Sequence, residues 1–177
     1  MWTDYTTSAN LTFPTNYSTT AANTVQLWGR YSSIAQYGIC NYGIILTTVG
    51  GVKKLQIATR SEKTAYNAPY TVLTETTLDY LSGAGTAKTL RVDIVDNRIL
   101  VYWNGQFVLG CADNSRLMNL KGSVGLYIND CTVTLDNLVV KQLVDPIGGD
   151  YDNEIGGNFN SAVPSFLQEY VTNNWCY

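Results

Sequence analysis

Apolar and polar residues alternate with a period of two along most of this chain, and clusters of Gly, Asn, Asp and Ser interrupt the alternation at short intervals. A period of two sends successive side chains to opposite faces of an extended strand, so each segment predicts a strand with one buried face. The predicted strands are Asp4–Phe13, Thr24–Ser32, Tyr42–Val49, Lys53–Arg60, Tyr70–Leu78, Lys88–Val95, Ile99–Trp103, Gln106–Leu109, Ser123–Ile128 and Thr132–Gln142. Ten short strands without a long helical period predict an all-β, antiparallel two-sheet sandwich.

Turns are predicted where residues that tolerate a positive φ separate these strands. The turns are Gly50-Gly51, Gly83–Gly85, Asp96-Asn97 and Asn104-Gly105. Asn-Gly is the strongest short hairpin signal, because both central residues of the turn need a positive φ.

The alternation ends at Leu143, and this change predicts the domain organisation. The segment VDPIGGDYDNEIGGNFNSA is loop-like, and PSFLQEYV, with Pro164 at its first turn, predicts one short helix. We therefore expect a sandwich over residues 1–143 and a C-terminal extension or linker over residues 144–177.

The composition excludes several classes of function. The 11 Lys and Arg residues are scattered and the formal net charge is −3, so no basic patch predicts a nucleic-acid partner. No apolar run is long enough to predict a membrane span. The chain contains no histidine, which excludes Ser-His-Asp and Cys-His catalysis and makes a zinc site improbable. In place of charged residues the chain is rich in Thr, Asn, Ser and Gly and contains 13 Tyr residues. Uncharged surfaces rich in hydroxyl groups suit extracellular proteins that bind sugars.

The four cysteines allow three disulfide pairings. They are Cys40, Cys111, Cys131 and Cys176. We favour a bridge between Cys111 and Cys131, because one ends a predicted strand and the other interrupts the next. The alternative is that all four are free and partly buried.

Several segments, taken in order, resemble a known family of β-sandwiches. They are WTDYTTSANLTF, VQLWGRYSS, YGIILTT, KKLQIATR, KTLRVDIVDNRILVYWNGQFVLGCAD and KGSVGLYINDCTVTLDNLVVKQL. Together they resemble the concanavalin A-like, laminin-G-like jelly rolls found beside or within polysaccharide-processing enzymes, over about residues 2–143. The resemblance implies a jelly-roll β-sandwich that binds glycans on its concave sheet or at loops along the rim. Tyr37, Asn41, Tyr42, Tyr66, Asn67 and Tyr70 are the loop candidates.

Alternation also predicts which side chains point outward. In VQLWGRYSS it assigns Val25, Leu27 and Tyr31 to the core and leaves Gln26, Trp28 and Arg30 outside. In the later strands it leaves Arg91, Asp93 and Tyr102 outside. We expect these six outward residues to share one face, where rings stack on a sugar and polar groups bind its hydroxyls. The alternative is that Arg91 and Asp93 form an ordinary cross-strand ion pair.

Catalysis and calcium binding are the remaining chemistries. Glycanases on this jelly roll generally place catalytic carboxylates along one strand, but Asp93 and Asp96 lie three apart and therefore on opposite faces. We expect no enzymatic activity. A structural Ca²⁺ is possible, held in the loop by Asp150, Asp152 and Glu154, because hard cations prefer oxygen ligands. Asp4, Asp113 and Asp130 are alternative ligands.

The sequence thus predicts a non-catalytic carbohydrate-binding, lectin-like module that acts at the cell surface or outside the cell and binds a glycan or polysaccharide. The alternative is a structural or adhesive protein of a virion or cell surface. In that case the C-terminal extension would support self-association or contact with a neighbouring domain.

Overall fold

The computed structural model describes residues 4–18, 20, 23–34, 38–62, 70–114 and 121–143. They form ten β-strands, and each predicted strand is confirmed with small shifts at its ends. The strands are β1 (Tyr5–Thr12), β2 (Thr24–Ile34), β3 (Gly38–Val49), β4 (Val52–Glu62), β5 (Thr71–Thr77), β6 (Lys88–Val95), β7 (Arg98–Trp103), β8 (Gln106–Ala112), β9 (Ser123–Asn129) and β10 (Thr134–Gln142). The predicted extension and its helix lie outside the described residues and stay predictions.

The strands form two antiparallel five-stranded sheets. Sheet 1 has the order β10-β1-β6-β7-β8, and sheet 2 has the order β5-β4-β3-β2-β9. The two sheets pack face to face, with β8 against β5 and β4. The all-β, two-sheet sandwich is therefore confirmed. The described ranges contain no helix with the length and hydrophobicity that crossing a membrane requires.

The core lies between the sheets and follows the alternation. In β6, Leu90, Val92 and Ile94 are buried while the residues between them are only partly buried. From sheet 2, Leu27 and Ile44 pack into the same core. Burying an apolar side chain of this size contributes about 1.5–3 kcal/mol, so the period of two determines which face of each sheet turns inward.

The hairpin turns adopt the backbone that their sequences predict. Gly50 and Gly51 have φ values of 57° and 81°, and Asn104 and Gly105 have φ values of 50° and 79°. An Asn or Gly tolerates this left-handed backbone better than other residues, so these turns fix the register of the strands that they join.

A β-bulge in β2 reverses the predicted alternation at Arg30 and Tyr31. Trp28 pairs with Gly125 and Tyr31 with Ser123, so β2 contains one extra residue over this interval. Arg30 has a φ of 47° and is 1% exposed. Its backbone N–H donates to the Tyr5 hydroxyl at 2.6 Å. The predictions that Arg30 points outward and Tyr31 into the core were both wrong, because the extra residue shifts the phase of the strand.

The predicted disulfide between Cys111 and Cys131 was also wrong. No disulfide joins the two cysteines. Cys111 lies in β8, an edge strand of sheet 1, whereas Cys131 follows β9, which lies at the other side of the sandwich from the β8–β5 contact. A disulfide requires Cα atoms within about 7 Å, which this topology does not provide. Cys40 is buried, and Cys176 lies outside the described residues.

Buried tyrosine hydroxyls predict unfolding in alkaline solution. Burial raises the pKa of Tyr5 from 10.0 to about 12, and burial also raises the pKa of Tyr42 and Tyr80. In the unfolded chain these tyrosines lose their protons near pH 10, at a lower pH than in the folded protein. Their contribution to the free energy of unfolding is therefore complete below pH 10 and falls as the pH rises towards 12. Tyr5 alone accounts for about 2–3 kcal/mol of this loss. We expect urea unfolding at pH 8, 10 and 11 to show the decline, with a shallower pH dependence in Tyr5→Phe. Equal stability at pH 8 and pH 11 would contradict this.

Candidate functional site

Three aromatic rings form a row on the outer face of sheet 2, and we call this row the aromatic ridge. Its members are Tyr31, Trp28 and Tyr127. The Trp28 ring centroid lies 5.4 Å from that of Tyr31 and 5.5 Å from that of Tyr127, with 12° between the planes in both pairs. The register places the tyrosines on either side of the pair formed by Trp28 and Gly125. Trp28 is therefore stacked between two tyrosine rings.

Two glycines make room for rings to lie on this sheet. Trp28 is flanked in register by Gly125 of β9 and Gly43 of β3. A Cβ at Gly125 would lie 3.0 Å from Trp28 Cε3, and a Cβ at Gly43 would lie 2.8 Å from Tyr70 Cε1. A side chain at either position would displace a ring. The Trp28 and Tyr70 rings consequently rest directly on the sheet backbone.

A row of mostly polar residues runs across all five strands beside these rings, and we call it the polar row. From β5 to β9 its members in register are Glu75, Gln56, Ile45, Gln26 and Tyr127. The Gln26 Oε1 atom accepts a hydrogen bond from Trp28 Nε1 at 2.8 Å, and Gln56 Nε2 donates to Glu75 Oε2 at 2.7 Å. The polar row thus links the aromatic ridge to an exposed carboxylate at the opposite edge.

The charges at the β5 end of the polar row are balanced. Glu75 forms an ion pair with Lys54, and this hydrogen bond lowers the pKa of the Glu75 carboxyl. Since the group is exposed, water screens the pair and its contribution to stability is small.

Tyr70 forms the second aromatic element of this face. Asn41 Nδ2 donates to the Tyr70 hydroxyl at 2.9 Å, and the Arg60 guanidinium carbon lies 6.0 Å from the ring centroid. Burial raises the pKa of the Tyr70 hydroxyl, which therefore stays protonated at neutral pH. A neutral, anchored hydroxyl of this kind can both donate and accept hydrogen bonds.

The ring surface available for a ligand belongs to Tyr127 rather than to Trp28. Trp28 has a tyrosine beside each of its two faces, whereas Tyr127 is 41% exposed. Neither Tyr31 nor Tyr127 was among the predicted site residues. For Tyr127 the signal was present, because alternation in SVGLYIN turns Val124, Leu126 and Ile128 towards the core and Tyr127 away from it.

The predicted single face is divided between two sheets. Gln26 and Trp28 lie on the outer face of sheet 2, but Arg91, Asp93 and Tyr102 belong to β6 and β7 of sheet 1. Alternation distinguishes inside from outside and does not distinguish one sheet from the other. The prediction that these residues form one platform was therefore wrong.

On sheet 1, the polar residues neutralise each other. Arg91 Nη2 donates to Asp93 Oδ2 at 3.0 Å, and Thr6 donates to Asp93 Oδ1 at 2.6 Å. The Arg91 guanidinium carbon lies 3.8 Å from the Tyr102 ring centroid, and Phe107 meets the same ring edge-on at 5.8 Å. Arg91 covers a face of Tyr102 and pairs with Asp93, so the ion-pair alternative describes this arrangement, except that both residues lie in β6 and the pair is not cross-strand.

The remaining predicted ligand residues do not extend the site. Tyr42 is buried in the core, where its hydroxyl donates to Asp113 Oδ2 at 2.8 Å, so its predicted role as an accessible loop residue was wrong. Tyr66 lies outside the described residues, as do the proposed calcium ligands Asp150, Asp152 and Glu154. In the described ranges, no group of three or more carboxylates and cysteines is placed to hold a metal ion.

Comparison with known proteins identifies the fold. No protein-family model matches the sequence, and no match is found among curated proteins. A carbohydrate-binding module of family 66 from Bacillus subtilis has a similar structure, with a TM-score of 0.55 and 16% identity, covering 78% of this chain and 75% of that one. The chain has a concanavalin A-like jelly-roll fold.

Two further structures share this jelly roll. Sheep galectin-11 has a TM-score of 0.52 and 11% identity, covering 80% of this chain and 92% of that one. The κ-carrageenase of Pseudoalteromonas carrageenovora, solved with an oligosaccharide of κ-carrageenan, has a TM-score of 0.50 and 14% identity, covering 75% of this chain and 51% of that one. Identities this low show the common fold alone, and they support the fold class that the sequence motifs predict.

Proposed function

We propose that this jelly roll is a non-catalytic carbohydrate-binding module whose ligand binds on the outer face of sheet 2. The observation that carries the proposal is the aromatic ridge beside the polar row, with the Tyr127 ring exposed at their junction. A sugar ring has an apolar C–H face and a rim of hydroxyls. The Tyr127 ring suits the former, and the amide of Gln56 suits the latter, while Gln26 is buried and fixes Trp28 through its hydrogen bond.

The pre-formed geometry favours binding. Trp28 is held by two stacked neighbours and by its hydrogen bond to Gln26, so ordering the ridge costs little entropy when a ligand arrives. The face is also mostly uncharged, which suits a ligand recognised through stacking and neutral hydrogen bonds.

The absence of catalysis is part of the proposal. Glycoside hydrolysis generally requires two carboxyl groups about 5–10 Å apart. Glu75 is the carboxylate of the polar row, and Lys54 already pairs with it. On sheet 1, Asp93 is held by Arg91 and Thr6.

The similar structures and the composition support an extracellular role. Two of those structures are a carbohydrate-binding module and a galectin, and the chain combines a tyrosine-rich composition with few charges. We propose that the protein acts outside the cell, where weak single sites gain strength through multivalency.

The test is a broad glycan array, run once with Ca²⁺ and once with a chelator, and followed by titration of any ligand found. We expect Tyr127→Ala to weaken binding at least tenfold, because it removes the exposed stacking plane. Tyr102→Ala is the matched control, since it removes a ring of the same kind from sheet 1.

Each outcome of the array decides between sites. Loss of binding in Tyr127→Ala but not in Tyr102→Ala supports the face of sheet 2. The opposite pattern transfers the site to sheet 1. Binding that survives both changes but disappears with chelator indicates a calcium-dependent loop site. An array without any ligand contradicts the proposal and favours the structural or adhesive alternative.

A further inference from the structure

The sandwich has four edge strands in its described part, and three of them carry a bulge. In β5 the extra residue is Leu73, in β8 it is Val108, and in β10 an extra residue lies between Asp136 and Val139. A bulge twists an edge strand away from flat pairing, and this is a common way to prevent one sheet from joining another. Three edges are therefore protected.

The fourth edge strand, β9, lacks this protection. Where β9 pairs with β2, the extra residue is Arg30 of β2, so β9 itself stays regular over its seven residues. Its sequence SVGLYIN contains no charged residue, whereas charges are the second common protection of an edge. Among the described residues, no strand pairs with the outer edge of β9. This edge is competent to accept another strand.

The side chains of β9 also gain from a partner. Val124, Leu126 and Ile128 pack against the core but remain only partly buried, because the sandwich ends at this strand. A strand added beside β9 would cover more of the apolar surface of these three inward side chains.

We propose that the partner is a second copy of this chain, paired antiparallel through β9 about a two-fold axis at Leu126. In this register Tyr127 of each copy lies opposite Gly125 of the other, so a large residue faces a small one on both sides of the axis. The end residues Ser123 and Asn129 also face each other and are uncharged, so no like charges oppose. Two-fold homodimers are the commonest oligomers, and their interfaces must be self-complementary in this way.

The dimer changes the site as well as the oligomeric state. The two copies of sheet 2 become one continuous sheet of ten strands, with the two aromatic ridges side by side at its centre. Tyr127 of one copy lies beside Gly125 of the other, where Trp28 already rests. Each copy therefore contributes a ring to its partner's ridge, and the assembly presents two linked sites.

Charge reversal tests this register on the full chain without any glycan. Sedimentation equilibrium of the 19.5 kDa protein should show a concentration-dependent dimer. Ser123→Lys with Asn129→Lys places like charges opposite each other twice, and we expect the dimer dissociation constant to rise at least tenfold. Ser123→Glu with Asn129→Lys places opposite charges there, and should restore the dimer. Thr71→Lys with Thr77→Lys, on the bulged edge strand β5, is the matched control and should leave association unchanged.

Three results would overturn the proposal. The first is a wild-type protein that stays monomeric at all concentrations. The second is a dimer that the two lysines on β9 do not weaken, which would place the contact elsewhere, for example in the C-terminal extension. The third is a double-lysine variant whose loss of association the Glu and Lys pair does not restore. Thermal unfolding of each variant checks that it is folded. A result against the dimer does not decide the proposed glycan site, because the glycan array tests that site separately.

Discussion

Replacing Gly122 by alanine is expected to lower the free energy of unfolding by about 3 kcal/mol, because the new methyl group has no space. A Cβ at Gly122 would overlap the carbonyl carbon of Arg30 and lie 2.6 Å from its carbonyl oxygen. These are backbone atoms of the β2 bulge, so they cannot rotate away as the end of a side chain can. Either the bulge or the start of β9 must move.

Thermal unfolding measures this effect, with a fall in Tm of about 10 °C expected for a domain of this size. Gly105→Ala is the matched control. Gly105 has a φ of 79° and nothing within 4 Å of its Cβ position, so alanine there meets only the backbone cost of about 1–2 kcal/mol. A Gly122→Ala protein at least as stable as Gly105→Ala would show that the bulge can yield.

The strands of this protein were predictable because their burial depends on a local rule. In β6, Leu90, Val92 and Ile94 are buried and alternate with the polar residues Arg91 and Asp93, and the sequence shows this period directly. The bulge at Arg30 was not predictable in the same way. Its cause is tertiary: the Arg30 backbone N–H bonds to Tyr5 of the other sheet, a residue 25 positions away.

The candidate site was predictable only in part, for two different reasons. Trp28 and Gln26 were predicted to face outward, and they do, because they precede the bulge. Tyr31 follows the bulge and was therefore assigned to the core. Arg91 and Tyr102 were predicted to share a face with Trp28. Periodicity gives each strand an inner and an outer face, but it does not say which sheet the strand enters. The strand order decides this, and it depends on pairings between distant segments.

Arg30 is the residue whose replacement tests the bulge most directly. Its guanidinium lies 3.4 Å from the Asp4 carboxylate, and its side chain is among the largest that are fully buried. Arg30→Ala removes this pair and leaves a cavity between the sheets. We expect a loss of about 3 kcal/mol, measured by urea unfolding. A stability within about 0.5 kcal/mol of the wild type would contradict a structural role for the buried charge.

A comparison with Arg30→Gly separates the effect of losing the guanidinium from the effect of the left-handed backbone at this position. Both variants lack the guanidinium, but glycine adopts a φ of 47° without strain, so it should be about 1 kcal/mol more stable than alanine at this position. Because the bulge directs Tyr31 outward, Arg30→Gly should also keep the stacked pair of Tyr31 and Trp28, visible in the near-ultraviolet circular dichroism. If alanine equals glycine in both measurements, the left-handed backbone at Arg30 does not hold the aromatic ridge in place. If glycine alone preserves the aromatic signal, the bulge itself, rather than the buried charge, positions the ridge for its ligand.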